Sequence, residues 1–384
     1  ACKVAGVCRE LGISVLMGGP HPTVLPETVM DRPGIDAICI GEGEITAKEY
    51  VDAFFGDKRY EKVDGIWFKD GDKVVKNKPR EYIADLDKLP FPAVDLFDVE
   101  TYIKGFVQFD CYNADLRGIS VIASRGCPYH CSYCQPTLTR MFGQKIRIRS
   151  PRSLADEIKC LRDKYNLKAF YFQDDTLTVF KSWIREFCDI LVREDFRILW
   201  ACNTRADTYD LESLKMMRDA GCVKIKVGVE SVTDRIRNGI YRKNVSREQI
   251  EKLCGDAKSM GIQVAGFFML GAPTETAKEI LDTIRFAVGS DLSEANFSVT
   301  TPLPGTALYN HARAQGWSVP CDFSSFDYYQ VKRPKMTELE VSVAKLSFLK
   351  RLAYFCFYLC PKRFPGTFMQ SLRVRKLLLK LRRL

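Results

Sequence analysis

The sequence predicts an α/β fold, and three features carry that expectation. From residue 119 onward, short apolar runs alternate with amphipathic stretches, repeatedly and in one order. Glycine-rich loops join run to helix within the first 58 residues. A basic, aromatic-rich segment ends the chain. The first feature describes strand-and-helix units running in one direction, a barrel or an open parallel sheet. The second describes half of a doubly wound, Rossmann-like sheet. The third reads as a helical tail.

Taken in order, residues 1–58 predict a helix over Val4 to Leu11 and a strand from Ile13 to Met17. The loop Gly18-Gly19-Pro20-His21-Pro22-Thr23 follows, then a helix near Pro26 to Met30 and a strand from Asp36 to Ile40. Gly41-Glu42-Gly43-Glu44 then leads into a helix from Ile45 to Phe55. Residues 59–115 read as a connector: Asp64 to Phe68 and Lys73 to Lys76 flank a hairpin turn at Asp70-Gly71, and Leu86 to Pro92 form a proline-stiffened crossing. Residues 116–325 carry the regular alternation. Strands are expected at 119–123, 168–172, 198–202, 223–229, 263–270 and 295–300, with helices at 153–165, 181–194, 210–219, 246–260 and 276–289. Leu154, Ile158 and Leu161 show the helical period in the first of these helices.

The chemistry concentrates at Ser124 to Gln135. Cys127, Cys131 and Cys134 stand there at C-x₃-C-x₂-C spacing, directly after the apolar run Ile119 to Ala123. Three clustered thiolates suit an iron–sulfur cluster or a zinc ion. Zinc wants a fourth protein ligand, for which His130 and Cys111 are near in sequence, but no second C-x₂-C or histidine pair follows. A four-iron cluster on three thiolates keeps one iron open, and an open metal position is where chemistry happens. The spacing favours the cluster over zinc and over unliganded thiols.

This loop, with Tyr133 immediately before the third cysteine, resembles the signature of radical S-adenosylmethionine (SAM) enzymes. The resemblance implies that Cys127, Cys131 and Cys134 hold a [4Fe-4S] cluster whose open iron chelates SAM, that the reduced cluster cleaves SAM to a 5′-deoxyadenosyl radical, and that a partial barrel of six strand-and-helix units surrounds them. It also implies an electron donor of the flavodoxin or ferredoxin type. The expected SAM contacts lie at successive strand ends: Gln173, Asp174 and Asp175 after the second strand, Asn203 and Arg205 after the third, Glu230 and Ser231 after the fourth, and Leu270 after the fifth, with Tyr133 in the loop. Ala272 and Thr274 depart from the Gly-Leu-Pro-Gly common in related sequences, reducing backbone freedom at that turn.

Residues 1–58 resemble the carboxyl-terminal half of the cobalamin-binding domain that precedes many radical SAM cores. On that resemblance Gly18, Gly19, Pro20, His21, Gly41, Glu42 and Gly43 would approach cobalamin. The family's D-x-H-x-x-G motif is not found, and the non-Met start suggests that an upstream half is missing from this chain. A sheet halved in this way predicts the least stable region of the molecule.

The implied activity is a cobalamin-dependent radical SAM methylation of an unactivated carbon in a small-molecule or lipid-like substrate. Two rivals stand beside it. One is a cyclase or other oxidative enzyme with the same cofactors, resembling the anaerobic magnesium-protoporphyrin ester cyclases. The other is a non-catalytic iron–sulfur or zinc scaffold. Fifteen cysteines, an odd and scattered number with no signal peptide before them, argue for a reducing cytoplasm.

The net charge of +10 sits at one end: Lys332 to Leu384 hold 14 Lys and Arg against two acids, a net of +12, which leaves −2 for the rest. The main body therefore has no electrostatic footprint for nucleic acid. Within the tail region, residues 326–384, Ser371 to Leu384 place Val374, Leu377, Leu378, Leu381 and Leu384 on one helical face. That face has two fates, an anionic membrane surface or the barrel itself.

Overall fold

The computed structural model describes residues 1–109, 112–113, 116–317 and 340–363, so the expected helical face over 371–384 lies outside the described residues. No helix among the described residues is long and apolar enough to cross a membrane.

Two sheets organise the chain. The larger has six strands, β5 (Gly118–Val121), β8 (Ala169–Phe172), β9 (Leu199–Thr204), β10 (Cys222–Glu230), β11 (Gln263–Leu270) and β12 (Glu294–Val299), side by side in that order and parallel at every pairing. Sequential order with a helix after each strand is the winding of a barrel, here left open because β12 and β5 do not pair. Each expected strand is present within about two residues. The helices between them are α7 (Pro151–Tyr165), α8 (Lys181–Arg193), α9 (Leu211–Asp219), α10 (Arg247–Ser259) and α11 (Ala277–Gly289).

Local chemistry explains their starts. The Ser150 hydroxyl accepts from the Ser153 N–H at 3.1 Å with Pro151 as the first helical residue, and Ser246/Gln249 and Thr276/Glu279 close reciprocal capping boxes on α10 and α11. The core lies between strands and helices, with Phe170, Phe172, Phe187, Trp200, Phe268 and Phe297 almost wholly buried. Each such side chain contributes roughly 1.5–3 kcal/mol, so this layer dominates stability. After β12 come α12 (Ala307–Ala314) and, following undescribed residues, α13 (Val343–Tyr358). The aromatic richness of α13 has a use. The Tyr354 and Tyr358 hydroxyls accept from the Phe297 and Ala295 N–H groups at 3.1 and 3.4 Å, covering the free edge of β12.

The smaller sheet contains β1 (Leu16–Met17), β2 (Ala37–Cys39), β3 (Ile66–Asp70) and β4 (Lys73–Lys76). Only β1 and β2 are parallel. Here the structure corrects the sequence. The hairpin is no separate connector: β3 pairs antiparallel with β2 and extends the N-terminal sheet. Its loop is Gly71-Asp72, since Asp70 pairs with Lys73 and Gly71 takes φ +58°. Gly18 to Thr23 is no open loop either; Pro20–Val24 form a short helix, α2, because proline at the first helical position sets φ and needs no N–H partner. Helices α1 (Cys2–Glu10), α3 (Pro26–Met30) and α4 (Gly43–Phe55) complete the unit.

Candidate active site

The cysteine loop leaves β5 through a buried corner. Asp174, the second residue after β8, turns its carboxylate inward: Oδ2 accepts from the Ala123 N–H at 3.0 Å, and Oδ1 accepts from the Ser124 N–H and hydroxyl. Burial pushes its pKa up against these bonds. Asp174 therefore shapes the entry to the loop. Asn203 joins it, donating from Nδ2 to the Asp174 carbonyl at 2.7 Å. Gln173 and Asp175 are exposed. Although Asp175 reaches solvent, partial burial and then the neighbouring Asp174 push its pKa up to about 6. Its charge acts on Cys127 and Cys134.

Arg205 meets the loop directly. Its guanidinium lies 3.5 Å over the Tyr129 ring, pairs with Asp207 through Nε and Nη2 at 3.0 and 2.9 Å, and donates from Nη1 to Cys131 Sγ at 3.8 Å. Burial opposes its charge, but Asp207 and then Cys131 outweigh it and hold the pKa up. Through these bonds Arg205 grips the cysteine loop.

On the opposite side, Glu230 Oε1 accepts from the Tyr133 hydroxyl at 2.9 Å and from Lys243 Nζ at 2.7 Å. Tyr133 meets Tyr241 edge to face. Ser231 and Leu270 belong to the scaffold. The Ser231 hydroxyl bonds Thr283 on α11, and the Leu270 carbonyl takes both the N–H and the hydroxyl of Thr300. The loop thus gathers Tyr133, Arg205, Glu230 and Asp175 of the expected set. No motif marks Lys243, Asp207 or Tyr129; Tyr129 alone had a signal, as an aromatic inside the loop.

The thiols suit a cluster. Cys131 is buried, Cys127 and Cys134 half-buried, and burial raises the pKa of both. Thiols so placed ionise only if positive charge accompanies them, which iron supplies and Arg205 supports at Cys131. For zinc a fourth ligand is wanted, yet His130 is exposed and Cys111 lies outside the described residues. Among the described residues no three His, Cys, Asp or Glu side chains stand close enough to hold a single metal ion. A four-iron core, with each thiolate on a different iron, asks for no such convergence.

The N-terminal unit meets this loop through Glu42. Its buried carboxylate accepts from Arg125 Nη1 at 2.7 Å, Arg147 Nη1 at 2.8 Å and the Ile83 N–H at 2.8 Å, while Arg125 also pairs with Glu44. Burial opposes ionisation, but the two guanidinium groups and the N–H outweigh it and hold the pKa below the usual carboxylate range. Arg125 and Arg147 lie on the two-stranded ribbon β6 (Ser124–Arg125) and β7 (Arg147–Ile148), two residues before Cys127. Glu42 is therefore a strut between the units. His21 is turned to Thr28, with Nε2 3.0 Å from the hydroxyl, and burial and then Arg32 lower its pKa. Gly18, Gly19 and Pro20 are exposed at the carboxyl end of β1. Gly19 and Gly41 have φ +100° and +79°, and a side chain on either would meet no protein atom within 4 Å. These backbones face open space, which fits the approach of a bulky ligand.

Comparison with known proteins decides the family. The radical SAM superfamily matches residues 121–287. A Pyrococcus horikoshii protein described as an uncharacterized methyltransferase is 33% identical over 94% of this chain and 76% of its own length. The chain belongs to the radical SAM superfamily. The cytidylyl-2-hydroxyethylphosphonate methyltransferase of Streptomyces wedmorensis is 28% identical over 83% of this chain and 64% of its own. An anaerobic magnesium-protoporphyrin IX monomethyl ester cyclase of Rubrivivax gelatinosus is 29% identical over 77% and 53%. Among solved structures, the radical SAM methyltransferase TsrM of Kitasatospora setae superposes with a TM-score of 0.68 at 18% identity, over 82% of this chain and 60% of that one. This radical SAM chain thus shares the fold of TsrM and spans about half to three quarters of the length of these curated relatives.

Proposed function

We propose that this radical SAM enzyme is a cobalamin-dependent methyltransferase acting on a carbon of a small molecule. The observation that carries the reading is the loop of Cys127, Cys131 and Cys134, held at a strand's carboxyl end by Arg205 on one flank and by Glu230 with Lys243 on the other. Relatives described as methyltransferases support the outcome, and TsrM is described with cobalamin and a [4Fe-4S] cluster bound. In this reading the three thiolates hold the cluster, Tyr133, Asp175 and Glu230 border SAM, and the backbone of Gly18, Gly19, Gly41 and Gly43, with Pro20 and His21 beside it, borders cobalamin. When bound, these groups would supply one-electron cleavage of SAM and carriage of a methyl group.

The protein's own part is placement. Asp174 fixes the loop's entry, Arg205 supplies fixed positive charge at Cys131, and Glu42 holds the cobalamin-facing turn against the strand that leads to Cys127. An electron donor of flavodoxin or ferredoxin type completes the reaction. A reducing compartment suits the thirteen described cysteines, all of them free thiols.

The test uses anaerobically reconstituted protein with dithionite, cobalamin and SAM labelled in its methyl group. Release of 5′-deoxyadenosine together with label in the product is expected. Release without label in any product would favour the cyclase reading, which the Rubrivivax gelatinosus relative supports. No release despite a full cluster would remove both.

A further inference from the structure

The excursion after β10 reaches the cysteine loop from a side to which no motif points. It starts at Glu230, with φ +62°, runs through a π-helical turn at Arg235–Ile240, and returns through Arg242 and Asn244, both at φ +53°. Non-glycine residues in this left-handed region cost on the order of 1 kcal/mol each, and such strain persists only where the surroundings enforce it.

The surroundings here are the cysteine loop itself. The Ser132 N–H donates to the Tyr241 carbonyl at 2.9 Å, the Ser132 hydroxyl to the Ile240 carbonyl at 2.7 Å, and Arg205 Nη2 to the Lys243 carbonyl at 2.7 Å. Between the two strained residues the Lys243 side chain turns inward, 6% exposed. Its Nζ donates to Glu230 Oε1 at 2.7 Å and lies 3.3 Å from the Tyr133 hydroxyl. A side chain at position 228 would push both Lys243 Nζ and Glu230 Oε1 from where they meet. Among the described residues the hydrogen bonds to the Glu230 carboxylate, from Tyr133 and Lys243, both fall on Oε1.

We propose that Lys243 is a positioning residue for SAM. By clamping Oε1 of Glu230 and the Tyr133 hydroxyl from a strained loop, it fixes the direction of Oε2 and so governs SAM affinity more than cluster assembly. The assignment rests on the reading of this loop as the cluster and SAM site.

The test compares wild type, Lys243→Met, Lys243→Arg, Glu230→Gln and the Lys243→Met/Glu230→Gln double variant, each reconstituted anaerobically. Iron content is measured first, then SAM affinity by equilibrium dialysis, and the change SAM makes in the spectrum of the reduced cluster. Iron content near wild type, with SAM affinity down about tenfold or more in Lys243→Met, is expected. Substantial recovery in Lys243→Arg is expected too, as is a double variant no weaker than Glu230→Gln, because the two residues act as one unit. Unchanged affinity in Lys243→Met, or additive losses in the double variant, would overturn the assignment. Loss of the cluster in both the Met and Arg variants would also overturn it, making Lys243 a residue of the fold alone. Wild type with a full cluster and no SAM binding would sink the reading of the site itself, an outcome distinct from all of these.

Discussion

The N-terminal unit and the barrel alternate strands and helices in the same way, yet they are held by different forces. The barrel's β10 and β11 run nine and eight residues, and its apolar core extends from Val99 to Phe357. The N-terminal β1 and β2 run two and three residues over the small cluster of Ala5, Val29, Met30, Ile35 and Ile38, while α1 leaves Val4, Val7 and Leu11 more than half exposed. Apolar burial is strong but has no direction. Charged hydrogen bonds are directional and fail when one partner goes. The barrel therefore owes its stability to burial, whereas the small unit, built over two small apolar clusters, is tied to the barrel by directional bonds of which the Glu42 strut is the buried one.

The largest effect should come where neither force is involved. Replacing Cys127, Cys131 or Cys134 with Ala should reduce SAM cleavage by about three orders of magnitude or more, because the protein offers no substitute for the cofactor's chemistry. The barrel core should nonetheless stay folded. Iron analysis with a thermal melt checks this; a collapse of the melt alongside the iron would mean that the cluster, and not burial, holds the barrel.

Next is Glu42→Ala, which removes the buried carboxylate shared by the Arg125 and Arg147 guanidinium groups and leaves them Glu44 and the Ile83 and Phe142 carbonyls. A loss of about 3–5 kcal/mol is expected, confined to the smaller unit. Amide hydrogen exchange should rise across residues 1–80 while β8 to β11 keep their protection. Exchange rising evenly in both sheets would refute the division.

The contrast between the two units also explains how much of the molecule was legible in its sequence. Barrel strands such as Phe170 to Phe172 and Val264 to Leu270 are continuous apolar runs between capping signals at Ser150, Ser246 and Thr276, and runs of that kind are local information. The N-terminal strands shrank because Ile13 and Ser14 gain no sheet neighbour, and the hairpin's place in the sheet depends on β2, far from it in sequence. The cysteines were legible because three ligands fall in one loop. The duties of Asp174, Arg205 and Glu42 were not, since a buried carboxylate or guanidinium at a strand end looks the same whether its partner is a ligand or the backbone. Glu42 meets Arg125 and Arg147 across 83 and 105 positions. Lys243 lies thirteen positions from Glu230, at no repeat a helix or strand would produce.

A third test sharpens the comparison by probing a charge inside the barrel. Glu275 is 1% exposed; its Oε2 accepts from the Gly271 and Ala272 N–H groups at 2.6 and 3.0 Å, while Oε1 has no partner among the described residues. Burial, only partly offset by those bonds, raises its pKa to about 7. A carboxyl that is easier to ionise unfolded than folded favours the native state at low pH. Its contribution is full below the unfolded value near 4.5 and lost as pH rises to about 7, on the order of 3 kcal/mol in all. Glu275→Gln cannot ionise, so its stability relative to wild type should improve by that amount between pH 4.5 and 8. Urea titrations at both ends measure it, and parallel curves would show that Glu275 is not the group responsible.

The smallest effect is expected at Thr274, which holds φ +58° at the same turn. A β-branched residue stands there, and the left-handed conformation is kept regardless. What keeps it is Arg235, which donates to the Thr274 hydroxyl at 2.9 Å and to its carbonyl at 2.8 Å while pairing with Glu279. Thr274→Gly would relieve about 1–2 kcal/mol of strain. It would forfeit about 0.5–1 kcal/mol to the freer unfolded chain and about 0.5 kcal/mol for an exposed hydrogen bond. These terms nearly cancel, to within about 1 kcal/mol either way, because the carbonyl bond and the Arg235–Glu279 pair survive the change. A urea midpoint close to that of wild type is the expected result. A loss beyond about 1 kcal/mol would show that the hydroxyl bond, not the backbone, holds the turn, and that even the barrel relies on directional bonds at its strand ends.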